Sequence, residues 1–150
     1  MSSPREIENR EIEQNLEANK ALFAAFGAKD IPGIMEFLHP EIVIEFYGPF
    51  VIPYAAIYHG HEKCRGFFER VLSSVEVHRF DAEEFIAERV KVAVTGHLTL
   101  TALSTGGAID SDFVHVITLK DGKWLRFRDF MNTAVAAFSG ASEGVLSRVD

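Results

Sequence analysis

The chain has 150 residues, the size of one domain, and with 47% hydrophobic residues and 13 phenylalanines it can fill a core and line a pocket. Its formal net charge of −7 disfavours nucleic acid and anionic membrane as partners, and its single cysteine, Cys64, excludes an internal disulfide framework or a cysteine-cluster metal site. No apolar run reaches membrane-spanning length, and the acidic stretch from Pro4 to Glu17 is unlike a signal peptide, so a cytoplasmic location is the default expectation.

From about residue 5 to Gly27 the pattern is helical. Ile12, Leu16, Phe23 and Phe26 recur near one stripe, and Gly27 is placed to cap the end. Asp30 caps a short second helix with Pro32 in its first turn and Ile34, Met35, Phe37 and Leu38 as apolar cover; His39-Pro40 stops it. Glu41 to Tyr47 reads as a strand with Ile42, Ile44 and Phe46 on one face and Glu45 on the other. Gly48 to Tyr58 contains two prolines and much apolar surface. Such a loop folds back over something or leaves an exposed patch, so it is read as a pocket rim. Gly60-His61 opens a third helix, in which Cys64, Phe67, Phe68, Val71 and Leu72 follow the spacing of an apolar helical face. Strands follow at Val75 to Ile86 and Val90 to Leu103, turning near Glu88, with a hairpin loop at Ser104-Thr105-Gly106-Gly107. Beyond the last strands, Thr133 to Phe138 forms a short apolar segment. The expectation is one domain over 1–150, its ordered core at about 6–138 and a flexible tail at 139–150.

Asp110 to Asn132 reads as two long strands joined at Lys120-Asp121-Gly122-Lys123. A two-residue turn at Asp121-Gly122 sets Lys120 opposite Lys123 and His115 opposite Arg128, which mixes apolar and basic faces. A three-residue loop with Gly122 in the left-handed region sets Ile117 opposite Leu125, His115 opposite Phe127 and Phe113 opposite Asp129. Only the second register sorts Leu125, Phe127 and Met131 onto one face and Arg126 and Arg128 onto the other, so it is preferred. Asp129 then lies on the apolar face, diagonal to His115. A carboxylate there is a misfit, because burying a charge is costly.

Three helices precede a run of four long antiparallel strands, which argues for an α+β fold: a curved antiparallel sheet, cone-shaped, with the N-terminal helices packed on it. A cone closed by helices leaves a cavity suited to a small ligand. The order of elements, the stretch Tyr58-His59-Gly60-His61-Glu62, and Asp121-Gly122-Lys123 followed by Phe127-Arg128-Asp129-Phe130 together resemble the nuclear transport factor 2-like superfamily over roughly residues 10–138. That superfamily includes SnoaL-like cyclases, ketosteroid isomerase and limonene-epoxide hydrolase, and hosts many chemistries and several binders. The resemblance implies the cystatin-like α+β cone and can be tested member by member. The tyrosine and aspartate of ketosteroid isomerase fall on about Leu22 and Phe46, neither of which transfers a proton. Of the limonene-epoxide hydrolase set only Asp129 survives; the other positions fall on Gly96, Leu98, Ile44 and Phe46. The phenazine-biosynthesis proteins share an acidic residue before Phe130-Met131-Asn132, but their helical histidine falls on about Phe67. SnoaL-like cyclases remain. They use an aspartate on the closing strand as acid/base near a pocket histidine.

Each candidate has a plain structural alternative. Asp129 is either an acid/base or a carboxylate held by an arginine or by backbone amides; an apolar pocket pushes a carboxylate toward its neutral form, which suits proton exchange near neutral pH. His115 is either its proton partner or a core histidine bonded to a backbone carbonyl. Phe46, Tyr54, Tyr58, Phe113, Phe127 and Met131 are expected to shape the pocket or simply to pack a core. His97 has no settled facing, and His59, His61 and Glu62 match no metal spacing. Arg126 and Arg128 belong to the outer sheet face, at a possible dimer interface. The expected protein is therefore a SnoaL-like enzyme acting on a small apolar carbonyl compound, homodimeric through its sheet, without cofactor or metal. The alternative is a non-catalytic small-ligand-binding protein of the same fold.

Overall fold

The computed structural model describes residues 2–140, so the expected tail lies, from residue 141 onward, outside the described residues. Helix α1 (Pro4–Gly27) starts where Ser3 accepts a hydrogen bond from the Glu6 amide, with Pro4 in the first turn. Its most buried residues are Asn15, Ala18, Asn19 and Leu22. Ile12, Leu16, Phe23 and Phe26 are only half-buried, because two asparagines take the central row. Trp124 Nε1 donates to Asn19 Oδ1 at 2.6 Å, and Asn15 Nδ2 donates to the Arg89 carbonyl at 2.9 Å. The left-handed residue after the helix is Lys29 (φ 58°), and the cap falls on Ala28, one residue past Gly27.

Helix α2 (Ile31–Met35) is a short segment capped by Asp30. Strand β1 (Leu38–Phe46) then begins before His39-Pro40, so these residues open the strand; the ladder shifts register between Leu38 and Val43, the kind of irregularity that accommodates a proline. Within the expected loop, Ala56–His59 forms a short strand, β2, antiparallel to β1. Gly60, at φ 90°, adopts a conformation open to glycine and leads into α3 (His61–Ser74), which buries Cys64, Phe67 and Phe68. Strands β3 (Val75–Ala87), β4 (Lys91–Ala102), β5 (Ala108–Lys120) and β6 (Lys123–Met131) follow, and α4 (Thr133–Gly140) ends the described chain.

The sheet runs β2-β1-β6-β5-β4-β3 and is open at both edges. It is mixed, because β1 lies parallel to β6 while every other neighbouring pair is antiparallel. Register shifts in the β3–β4, β1–β6 and β5–β6 ladders bend the strands around the helices. Alternation does the rest: along β4, Val92, Val94, Leu98 and Leu100 face the core, and along β5, Ile109, Phe113, His115 and Ile117 do.

The β5–β6 hairpin departs from both simple registers. Asp121 and Gly122 have φ values of 55° and 74°, the pair of positive angles that a two-residue type I′ turn requires. Lys120 accordingly pairs with Lys123 and Leu119 with Trp124, but the ladder then slips by one residue, so that Thr118 pairs with Arg126 and Leu125 is left in the bulge. Past the slip Ile117 lies opposite Phe127 and His115 opposite Asp129, while Phe113 meets Met131. The expected three-residue loop is therefore replaced by a tight turn plus a bulge. The bulge rescues the segregation of faces that the tight turn alone would have destroyed.

Candidate active site

Asp129 sits in the middle of an inward-facing row, with Phe46 beside it on the parallel strand β1 and His115 beside it on β5. Its side chain is 15% exposed and that of His115 4%, with His115 Nε2 and Asp129 Oδ1 3.2 Å apart. The approach is close, yet the two atoms are not aligned as a hydrogen bond, and both Asp129 Oδ1 and His115 Nδ1 are buried without a hydrogen-bond partner among the described residues. Buried polar atoms are seldom left so. Among the described residues no arginine forms an ion pair with Asp129, Arg126 pairing with Glu45 at 2.6 Å on the opposite face, and His115 Nδ1 bonds no backbone carbonyl.

The histidine is packed among aromatic rings. Phe113 lies 4.5 Å from it, Phe127 meets it edge-on at 4.8 Å, and Phe23 and Phe80 complete the surround. Phe113 in turn stacks on Phe80 at 4.7 Å. Gly96 makes this possible: a Cβ there would lie 2.5 Å from the Phe113 ring and 2.0 Å from the Asp81 carbonyl. The position that carries the arginine in limonene-epoxide hydrolase by resemblance thus has no room for a side chain.

A chamber of about 60 Å³ lies between this row and the helices, lined by His115, Asp129, Phe46, Tyr54, Phe127 and Met131 from the sheet side and its rim loop, and by Leu22, Phe23 and Phe26 from α1. Phe67, Phe68, Phe80, Leu98, Leu100 and Trp124 also contribute. Tyr54 is 4% exposed and touches Phe46 edge-on. Burial, and then the charge of Asp129, push its phenol up to about 12, so it stays a neutral donor across the physiological range.

Two expected lining residues serve as support. Phe113 lies behind the histidine, and Tyr58 donates to the Tyr54 carbonyl at 2.9 Å and packs on Phe67, holding the rim loop against the core. The lining residues of β4, Leu98 and Leu100, were within reach of strand alternation. Trp124 was not, because its inward facing depends on the two-residue turn that pairs it with Leu119. On the outer face His97 lies between Asp110 and Asp112, with Nδ1 2.8 Å from Asp112. These carboxylates, Asp112 most, raise its affinity for a proton. His61 Nε2 lies 3.2 Å from the Met35 carbonyl. Among the described residues no group of three or more histidine, cysteine or acidic side chains could hold a metal ion. No helix among them is long and apolar enough to cross a membrane.

A helix-covered open sheet with a polar pair at the base of an apolar chamber is an arrangement suited to a small ligand. The chain belongs to the SnoaL-like domain family, whose model matches residues 19–127. Among solved structures it is similar to an NTF2-like protein from Burkholderia xenovorans LB400, with 25% identity, a TM-score of 0.79, and coverage of 87% of this chain and 98% of that one. An NTF2-like protein of unknown function from Burkholderia pseudomallei K96243 is 26% identical over 86% of this chain and 98% of its own, with a TM-score of 0.76. TerC, co-crystallised with polyporic acid, is 28% identical over 86% of this chain and 99% of its own, with a TM-score of 0.75. No curated protein matches the chain in sequence.

Proposed function

We propose that the protein is a SnoaL-like enzyme of the cyclase or isomerase type, using Asp129 as general acid/base on a small, largely apolar carbonyl compound. The observation that carries this reading is the pair of unpartnered buried atoms, Asp129 Oδ1 and His115 Nδ1, at the base of an apolar chamber. The oxygen of a bound carbonyl compound can accept from the imidazole, which leaves the carboxylate facing the acidic C–H beside the carbonyl. The Asp129 carboxylate takes a proton from the carbon next to the carbonyl, charge moves onto the carbonyl oxygen, and the carboxylic acid returns a proton to complete isomerisation or ring closure. His115 orients the carboxylate or donates to the oxygen, with its tautomer set by which nitrogen faces Asp129. No cofactor is needed for such a step.

The test uses D2O. Ketones, aromatic esters and polyporic acid are first screened by thermal shift, and ketone hits are followed by NMR for exchange of the α-protons. Wild type is expected to accelerate exchange, and Asp129→Asn to lower it by about 10²–10⁴-fold while keeping the fold. Exchange that survives the substitution unchanged rules out the assignment. Binding without exchange supports the second reading, a ligand-binding protein, which is favoured by the absence of any other proton-transferring side chain from the familiar partner positions Leu22, Gly96 and Phe67.

We also infer a homodimer through the outer sheet face, with the whole chain acting as one cytoplasmic domain. Phe130 and Val114, neighbours across the β5–β6 ladder, are 41% and 39% exposed and form an apolar patch there. Sedimentation of wild type and Phe130→Lys tests it: the variant is expected to be monomeric.

A further inference from the structure

Tyr54 lines two chambers at once. On one side is the inner chamber of about 60 Å³ with His115 and Asp129. On the other is a groove of about 390 Å³ between the rim loop, the α3–β3 junction and the β4–β5 hairpin, lined by Val51, Ile52, Leu103, Ile109 and Ala136. Val75 is the second residue shared by both. The two spaces also follow one another along β4: Leu98 and Leu100 face the inner chamber, and the next inward residue, Ala102, which pairs with Val75, faces the groove.

The volumes set what each can hold. A dry cavity of about 150 Å³ accepts benzene, and small-molecule sites run to roughly 300–1,000 Å³. The inner chamber alone is therefore too small for a ring, whereas chamber and groove together reach the ordinary range. Of the residues that line the two spaces, those with unpartnered buried polar atoms, His115 and Asp129, are at the inner end, and the groove walls are aliphatic apart from Ser73, Ser74, Ser104 and Tyr54.

We propose that Tyr54 is the partition of a two-chamber site, and that the ligand is elongated: a carbonyl head against His115 and Asp129, and an aliphatic tail passing Tyr54 into the groove. The proposal deepens the acid/base reading above and rests on it for the placement of the head. Tyr54 is suited to a partition because it comes from a loop that is held at its backbone by Tyr58. Rotation of one side chain then joins the two spaces without unpacking the sheet.

The experiment titrates methyl ketones from 2-butanone to 2-dodecanone into the full chain. Trp124 is the only tryptophan and lines the inner chamber, so its fluorescence reports the head. Affinity is expected to rise about fourfold per methylene once the tail reaches the groove, and to level off when the groove is full. Leu103→Glu, at a residue 55% exposed and so tolerant of change, puts a charge in the groove and is expected to flatten the series. Tyr54→Ala is expected to speed association of the long members several-fold. Ile86→Thr, at a residue 59% exposed and outside both spaces, is the control expected to match wild type. Affinity that does not grow with length, or growth that persists in Leu103→Glu, overturns the proposal. Quenching by no member overturns it together with the acid/base reading. The expected gain without α-proton exchange leaves the groove standing and refutes the acid/base reading alone.

Discussion

Replacing Asp129 with leucine is expected to stabilise the protein while abolishing its function. In the folded state the carboxylate is 15% exposed, its Oδ1 has no hydrogen bond among the described residues, and its nearest ion-pair partner there is His115 at 3.2 Å. No arginine or lysine lines the chamber. An enclosed acceptor without a partner costs about 1–3 kcal/mol. Leucine removes that penalty and fills apolar space beside Phe46 and Met131. Part of the gain, about 1 kcal/mol, is offset because His115 Nε2 loses its nearest acceptor. The net expectation is a gain of about 1–2 kcal/mol, which for a chain of this size raises Tm by about 2–8 °C. Thermal and urea unfolding at pH 7, followed by Trp124 fluorescence, measure it. Asp129→Asn, which keeps the shape and removes the charge, is expected to move in the same direction by less. If His115 and Asp129 were instead a structural ion pair, breaking it would lower stability by about 3–5 kcal/mol. A fall in Tm, or none, therefore refutes the view that this carboxylate is held at a cost to stability for the sake of a ligand.

Gly96→Ala is expected to destabilise by at least about 2–3 kcal/mol, measured as a lower urea midpoint, because its Cβ would meet the Asp81 carbonyl at 2.0 Å and displace the Phe113 ring that backs His115. His97 carries a proton affinity raised first by Asp112 and then by Asp110. Its folded value lies above its unfolded value, so the stability it contributes is fully present below about pH 6.5 and is lost as pH rises through the folded value. The difference in Tm between wild type and His97→Gln should shrink across that window, and a difference that grows with pH contradicts the argument. Cys64 is buried, its thiol pushed up to about 11, so at pH 8 only about one molecule in a thousand carries the thiolate. Labelling by DTNB is expected to follow global unfolding, and rapid labelling of the native protein contradicts its burial. Asn19→Leu removes the acceptor of the buried Trp124 indole and is expected to cost about 1–3 kcal/mol in urea unfolding.

The parts of the fold that were legible are those where one periodicity governs a whole element. The third helix announced itself because Cys64, Phe67 and Phe68 share one face, and β4 because its apolar residues alternate without interruption. Asp129 stood out for the same reason, as the one acid on an apolar row. What could not be read was set by single atoms acting between distant elements. The central row of α1 contains Asn15 and Asn19, which look like solvent-facing residues until Arg89 and Trp124 are brought against them. Residues 56–59 carry no alternation long enough to mark a strand, and become one only because the edge of β1 is free to pair.

The hairpin is the most instructive case, because two local rules conflicted there. Turn chemistry at Asp121-Gly122 favours two residues with positive φ, and segregation of faces appears to forbid that register. The chain satisfies both: the tight turn pairs Trp124 with Leu119 and sets it inward onto Asn19, and leaving Leu125 unpaired, at the cost of one ladder position, restores the apolar face beyond it. The same displacement moves Asp129 from opposite Val114, where the tight turn alone would leave it, to directly opposite His115. The bulge therefore does more than tidy the sheet: without it the carboxylate and the imidazole would not meet.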